Sequence, residues 1–302
     1  MVIKQGIGDK VFNIVNVCIL SIILLIMAYP LYFVLIASIS NTDLVNTGQV
    51  IFYPKSLTLD GYQMVFNYSD VWIGYRNTIF YTAAATLLHL IVTLPAAYTL
   101  SRKDFRWKSF FTVVFMIPML FGGGLIPYYL LLTRTLKMND TIWVMILPGA
   151  TSFFQMTIAR TFFRTTIPDE LRESAEIDGA SNFLVFFKIV IPLSAAIIAV
   201  LALQCAVGNW NAYFNAMIFL SDREGRNLRP LQIILRNILI MTQSQVAIAE
   251  QMADQTNAAE KMRLTEQLKY ALIIVSALPV LIIYPFIQKH FVKGVMIGSI
   301  KG

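Results

Sequence analysis

The chain has 302 residues, 57% of them hydrophobic and 14% charged, with a formal net charge of +7. Soluble domains carry about 25% charged residues, and a monomeric globule of this length cannot hide so much apolar surface, so the composition argues against a soluble protein. The positive balance has the sign expected of loops held against anionic lipid, and it is read that way rather than as a nucleic-acid surface. Cys18 and Cys205 both lie inside apolar runs, which points to packing residues and not to a disulfide framework or a Cys-ligated metal site.

In chain order the apolar runs cover 11–40, 77–100, 110–132, 141–159, 192–219 and 270–287. These 142 residues contain none of the 24 Lys and Arg or the 17 Asp and Glu. Each run has 18 residues or more, against about 20 needed to cross hydrocarbon at 1.5 Å per residue. The expected fold is an all-α membrane protein with six transmembrane helices in a single domain, 1–302. Segments 1–10, 101–109, 160–191 and 288–302 hold 13 Lys and Arg in 66 residues; the opposite connections hold 11 in 94, mostly in the long loop 220–269. Basic excess marks the cytoplasmic side, so N-in and C-in are expected. The first run continues past Pro30 to Ile39, too long for the core of a cleaved signal peptide, and is read as retained.

Prolines at 30, 95, 118, 127, 148 and 279 fall inside the runs, with Gly122-Gly123-Gly124 in the third. Membrane helices tolerate such residues. Two readings stay open: ordinary enrichment, or a triple glycine that lets the third span bend in a transport cycle. Within the runs the sole ionisable side chain apart from cysteine and tyrosine is His89. Ion-coupled carriers place such groups at mid-membrane, so an ion-coupled secondary transporter of a small polar solute is the rival reading and the weaker one. An intramembrane enzyme would need catalytic groups the runs lack. The chain has no Gly-Lys dipeptide and hence no nucleotide-cradling P-loop. Energy for uphill transport then has to come from a separate subunit docked on a loop.

Segment 160–191 is the informative one. Pro168 suits a helix start, Asp169 and Glu170 suit its first turn, and Gly179 suits a left-handed stop. Ser181 or Asn182 then caps a second short helix leading to Pro192. Leu171, Ser174, Ala175 and Asp178 share one face of the first helix, with small residues in the middle.

Glu173-Ser174-Ala175, three residues, Gly179, nine residues, and Ile189-Val190-Ile191-Pro192 resemble the EAA loop of ABC-importer permeases, with Ser174 and Ile191 as departures from its Ala and Leu. Pro54-Lys55, Thr58-Leu59-Asp60-Gly61-Tyr62, Asn77-Thr78, Ala96-Ala97-Tyr98, Asp178-Gly179-Ala180, Trp210-Asn211 and the closing Lys301-Gly302 extend the resemblance to the carbohydrate-uptake, maltose-type branch. The long loop 220–269 looks more like that of permeases for complex or acidic oligosaccharides. The resemblance implies a type I importer permease in the bacterial cytoplasmic membrane, with a second, homologous permease subunit, two ATP-binding subunits that hold ATP and Mg2+, and an extracytoplasmic solute-binding protein. It implies no cofactor in this chain. Carried onto this sequence, Glu173 pairs with a basic residue of the ATPase, Ala175 packs closely against it, and Gly179 allows the bend, with Leu171, Ser174 and Asp178 on the docking face.

For the solute, Asn209, Trp210, Asn211, Tyr213 and Asn215 supply amides and aromatic faces within seven residues of the fifth run, the groups that hold sugars. On a continuous helix Asn211 and Asn215 lie one turn apart. The plainer reading is an interfacial aromatic belt with helix–helix amide contacts. Trp143, Gln155, Tyr128 and Tyr129 are lesser candidates. In 220–269, residues 241–268 read as helical.

Overall fold

A computed structural model describes residues 6–251 and 262–282. Among the described residues all regular structure is helical. The described residues divide into two compact units, one formed by those up to Tyr68 and those within Arg236–Ala277, the other by Ser69–Leu235 with 278–282.

In the first unit, α1 (Ile7–Ser38) runs unbroken through Pro30. Every described side chain from Val11 to Leu31 is exposed. Gly8–Ser38 carries a mean hydropathy of 2.7 and measures about 46 Å at 1.5 Å per residue, so its bare apolar surface has the length and chemistry for lipid. Its end is pinned. Ile36 and Ala37 pack with Val45 and Val50, Ser38 Oγ lies 2.7 Å from Tyr62 Oη, and Asn41 caps α2 (Thr42–Asn46) by accepting from the Asp43 amide. In α3 (Asp60–Asn67), a Cβ on Gly61 would lie 2.9 Å from the Gln267 carbonyl of α15 (Met262–Ile282). Gln267 also donates to Thr58 Oγ1 at 3.3 Å. The Thr58–Tyr62 stretch is thus a packing device that lets α15 approach closely.

In the second unit, α4 (Ser69–Ser101) is the central helix and continues past Pro95, with α8 (Phe153–Thr166) and α12 (Ala195–Trp210) packed on it. Leu94, Ala97 and Leu100 of α4, Met156, Ala159 and Phe163 of α8, and Leu201 of α12 share one core. Small residues sit where the helices meet, the arrangement that brings membrane helices close without a hydrophobic force between them.

Three expected spans are not continuous helices. The third is α5 (Lys108–Leu120), then Gly122–Gly124, then α6 (Leu125–Leu130) and a π-helical turn Leu131–Thr135; the two parts meet at 111°. The fourth is α7 (Trp143–Ile146), an irregular stretch 147–152 holding Pro148 and Gly149, and α8, which Ser152 caps. The fifth comprises α10 (Asn182–Val185), a π-helical turn Phe186–Val190 and α11 (Ile191–Leu193), which meet α12 at 79°. It breaks again at 211–213 before α13 (Phe214–Phe219). Pro192, without an N–H, and Ser194, whose hydroxyl donates to the Val190 carbonyl at 2.6 Å, mark the 79° bend. α14 (Leu231–Gln251) and α15 bear out helix on either side of 252–261, and the remainder of the expected 241–268 helix lies outside the described residues. α15 starts eight residues before the expected sixth span, whose last residues, 283–287, also lie outside them.

Asn77 and Thr78 anchor the 220–231 segment. Asn77 Nδ2 donates to the carbonyls of Asn227 and Arg229 at 2.8 and 3.0 Å, the Leu231 amide donates to Thr78 Oγ1 at 2.8 Å, and Tyr81 Oη donates to the Leu228 carbonyl at 2.8 Å. Gly74 admits this segment, since a Cβ there would lie 3.0 Å from Leu231 Cα. Asn77→Ala leaves two carbonyls without their donor. It is expected to cost about 1–3 kcal/mol, read as a lower melting temperature in detergent and faster proteolysis within 220–231, and an unchanged melting temperature and cleavage rate would refute the anchor.

Candidate functional site

The 160–191 segment builds a compact hairpin. α8 ends at Thr166, and Pro168 opens α9 (Asp169–Ile177) with two carboxylates in its first turn. At the far end Gly179 has φ +79°, the Ala180 amide donates to the Ala175 carbonyl at 2.9 Å, and the Gly179 amide donates to the Glu176 carbonyl at 3.0 Å. This pair of bonds is the Schellman stop. Its usual apolar contact is present, because Ala175 and Ala180 both pack against the α4–α8 core. Ser181 Oγ then accepts from the Leu184 amide at 3.3 Å and starts α10. Helix, stop and restart lie where local chemistry places them.

The docking face differs from expectation in one residue. Leu171, Glu173, Ser174 and Asp178 are exposed, and Gly179 sits at the exposed turn. Ala175 instead turns inward onto the chain's own core. Ile177, which sequence reasoning passed over, is 87% exposed. A bare Ile at the tip of a polar helix gives α9 an apolar contact point.

Charges brace the hairpin to the end of α4. Arg102 donates to Asp104 through Nε at 2.9 Å and Nη2 at 2.5 Å, and through Nη1 to Asn182 Oδ1 at 2.6 Å. Arg172 Nη1 of α9 reaches the same Asp104 at 3.4 Å and Glu176 at 3.0 Å, and Lys103 pairs with Asp169 at 2.8 Å. The two arginine side chains are only 17% and 19% exposed. The hydrogen bond from Arg102 pulls the Asp104 carboxyl down to about 2, and the bond from Lys103 lowers Asp169. Single exposed pairs are worth little; here one carboxylate is shared by two largely buried guanidiniums. Tyr98 adds an aromatic anchor, its ring 5.9 Å from Phe163 and 5.4 Å from Phe186.

The 209–215 cluster does not stay together. Asn209 Nδ2 donates back to the Cys205 carbonyl at 2.9 Å and Asn211 Nδ2 to the Val207 carbonyl at 2.9 Å, so both amides satisfy the last turn of α12. Trp210 is 5% exposed, its ring 6.3 Å from that of Tyr75. Asn215, beyond the break, donates toward the Val144 carbonyl and accepts from Tyr128, each at 3.5 Å. Asn211 and Tyr213 alone of the five are exposed. The break at 211–213 removes the single-helix spacing expected for Asn211 and Asn215. Instead, Gln204 and Gly208 of α12 and its C-cap Asn211 form an exposed stripe at i, i+4, i+7, and Gln155 of α8 donates to Gln204 Oε1 at 3.3 Å. Gln204 was missed because the sequence signal looked for density of polar residues rather than one helical face. Trp143 and Tyr129 are exposed, and Tyr129 stacks on Phe219 at 5.6 Å.

The family model of the binding-protein-dependent transport system inner membrane component matches residues 72–297. The chain belongs to this family. It is 36% identical to the polygalacturonan/rhamnogalacturonan transport system permease protein YtcP of Bacillus subtilis (strain 168), over 97% of this chain and 99% of that one. To protein LplC of the same organism it is 34% identical, over 98% and 96%. The crystal structure of a bacterial ABC transporter involved in the import of the acidic polysaccharide alginate contains a similar chain, with a TM-score of 0.79, 32% identity, and coverage of 95% of this chain and 99% of that one. In a permease of this family the brace at Arg102, Asp104 and Arg172 fixes how α9 is presented. Because the folded carboxyl of Asp104 titrates below its ordinary value, its contribution is complete above about pH 4 and disappears as pH falls through about 2. Asp104→Asn is expected to speed amide exchange in α9 about fivefold at neutral pH, equivalent to about 1 kcal/mol for a half-exposed charged contact, and to remove its acid dependence. Exchange identical to the parent at both pH values would show that the brace is idle.

Proposed function

We propose that this chain is the permease subunit of an ATP-driven, binding-protein-dependent importer for carbohydrate oligomers, six-spanning and with both ends in the cytoplasm of a bacterium. It forms half of the path, a homologous permease forms the other half, and two separate ATPases holding ATP and Mg2+ dock on segment 160–191. The chain itself is non-catalytic. A solute-binding protein delivers the sugar from outside. The observation that carries this reading is the hairpin: a capped, ion-braced helix ending at a left-handed Gly179, with Leu171, Glu173, Ser174 and Ile177 bare, inside the sequence pattern of the EAA loop. In that setting Glu173 meets a basic residue of the ATPase, Leu171 and Ile177 fill its groove, and Ser174 permits close approach. Asp178 and Gly179 set the turn. Ala175 supports the helix from behind.

The stripe of Gln155, Gln204 and Asn211, with Tyr213 beside the break, lines the solute path in this reading. Uncharged amides donate to hydroxyls and carboxylates alike. Relatives that share about a third of their residues bear the names of polygalacturonan/rhamnogalacturonan and alginate importers, and an acidic oligosaccharide is the solute proposed here. Ion coupling fits less well: His89 is buried and its ring nitrogens lie 3.4 and 3.5 Å from Thr93 Oγ1, a packed position on α4.

Gly179→Pro forces a φ near −65° on a position that holds +79°. It is expected to abolish uptake and co-purification of the ATPase while membrane insertion persists; retained co-purification would count against docking on this hairpin. For the path, Gln204→Ala and Asn211→Ala are expected to lower oligosaccharide-stimulated ATP hydrolysis about tenfold each, the scale of one lost polar contact, with basal hydrolysis unchanged. Parental stimulation in both variants would remove the stripe from the path. Comparison of oligogalacturonate with malto-oligosaccharide as stimulant, each with its binding protein, decides the solute class.

A further inference from the structure

We propose that the junction of α5 with α8 binds an anionic phospholipid, its headgroup phosphate held by Lys108, Arg160 and Arg164 and the start of an acyl chain lying in the adjoining groove between α4 and α5. The depth is set by the sequence. Arg160 and Arg164 are the first charges after the uncharged run 141–159, and Lys108 is the last before the uncharged run 110–132, which is the level at which headgroups meet hydrocarbon. Arg160 and Arg164 stand one turn apart on α8, and Lys108 is the first residue of α5. Arg160 Nη1 donates to Thr112 Oγ1 at 3.5 Å, and that hydroxyl donates to the Lys108 carbonyl at 2.7 Å, so the guanidinium is fixed one turn along from the lysine.

Among the described residues no carboxylate forms an ion pair with Lys108, Arg160 or Arg164, although Asp169 and Glu170 line a cavity with Arg164. The charges acting on Lys108 are those of Arg160 and Arg164, and the ion pairs of the described chain engage other cations. Three like charges gathered at one point call for an anion from outside. An apolar groove of about 260 Å3 begins one turn along α5 from Lys108, lined by Pro95, Ala96, Thr99 and Leu100 of α4, by Phe105, and by Phe111 and Phe115 of α5. Lys108, Phe111, Thr112 and Phe115 share one face of α5 at i, i+3, i+4, i+7. A cationic head site and an apolar channel on the same helix face select an amphipathic anion over inorganic phosphate or an acidic peptide. Trp107, 65% exposed beside Lys108, is placed as an interfacial anchor. This site requires only that the ends of α5 and α8 reach a membrane surface; it goes beyond the transport reading.

The test is native mass spectrometry of the full chain, delipidated in detergent and titrated with dioleoylphosphatidylglycerol or dioleoylphosphatidylcholine. Phosphatidylglycerol is expected to bind at a concentration at least about tenfold lower than phosphatidylcholine. The K108Q/R160Q/R164Q variant is expected to lose about a hundredfold in phosphatidylglycerol affinity, at about fivefold per cation, while K108R/R160K/R164K retains it. R164Q alone, at an exposed position, is expected to lose about fivefold and serves if the triple variant misfolds. Parental affinity in the glutamine variants overturns the proposal, as does equal binding of the two lipids. Displacement by millimolar inorganic phosphate would assign the cluster to free anion, and loss of the lipid on adding the partner permease would assign it to a protein carboxylate; either overturns it. Neither sugar nor ATPase enters the assay, so its failure leaves the importer reading where it stood.

Discussion

A helix that stops among apolar side chains frees amides and carbonyls that have no water to turn to, and each must find a partner inside the protein. Two of the three interrupted runs meet this demand with side chains. At 147–152, where Pro148 has no N–H to offer the Val144 carbonyl, Asn215 reaches that carbonyl, and His89 of α4 faces the backbone of Gly149 and Ala150. At 211–213, Asn209 and Asn211 fold back onto the carbonyls of α12. The third interruption is different. A Cβ at Gly122, Gly123 or Gly124 would meet nothing within 4 Å, so no neighbouring element packs on this turn. Of the two readings left open by the triple glycine, the bending hinge is the one this geometry favours, whereas Pro30, Pro95 and Pro118 sit within unbroken helices.

These satisfied breaks converge on one element. α4 holds the 227–231 segment through Asn77, Thr78 and Tyr81, the 147–152 break through His89, α12 through the Ala85–Cys205 contact, and the hairpin through Tyr98 and the arginine following its last turn. Each contact is directional, and the small residues Ala85 and Ala97 are fully buried, which leaves little slack for one partner to shift alone. The guanidinium–carboxylate bonds at Asp104 tie α9 to the residues that follow α4.

Legibility in the sequence followed range. The hairpin's caps were readable because Pro168, Gly179 and Ser181 act on backbone groups within five residues. The apolar runs were readable because burial in lipid excludes charge. What hydropathy does not encode is continuity: an uncharged run reads alike whether it is one helix or two at 111°. Partners distant in sequence were also invisible, since Asp104 meets Arg172 across 68 positions and Asn77 meets Asn227 across 150. Ala175 shows a subtler limit. A helical wheel groups it with Leu171 and Ser174, but the direction that face looks is fixed by the Schellman stop, which seats Ala175 and Ala180 together on the core.

The chemistry of the stripe bears on why a path for large sugars would avoid charge. A lysine or arginine there would bind a uronate strongly in a low-dielectric setting, through a charge-assisted bond that has to break before the solute leaves. Amides form weaker bonds, exchange donor and acceptor roles, and serve hydroxyl and carboxylate alike. Passage needs binding favourable enough to enter and weak enough to release, and neutral groups on one helical face, spaced at Gln204 and Asn211 with Gln155 opposite, meet both conditions. Arg102, Lys103 and Arg172 lie instead beyond the last turn of α4 and on α9, where they hold the hairpin.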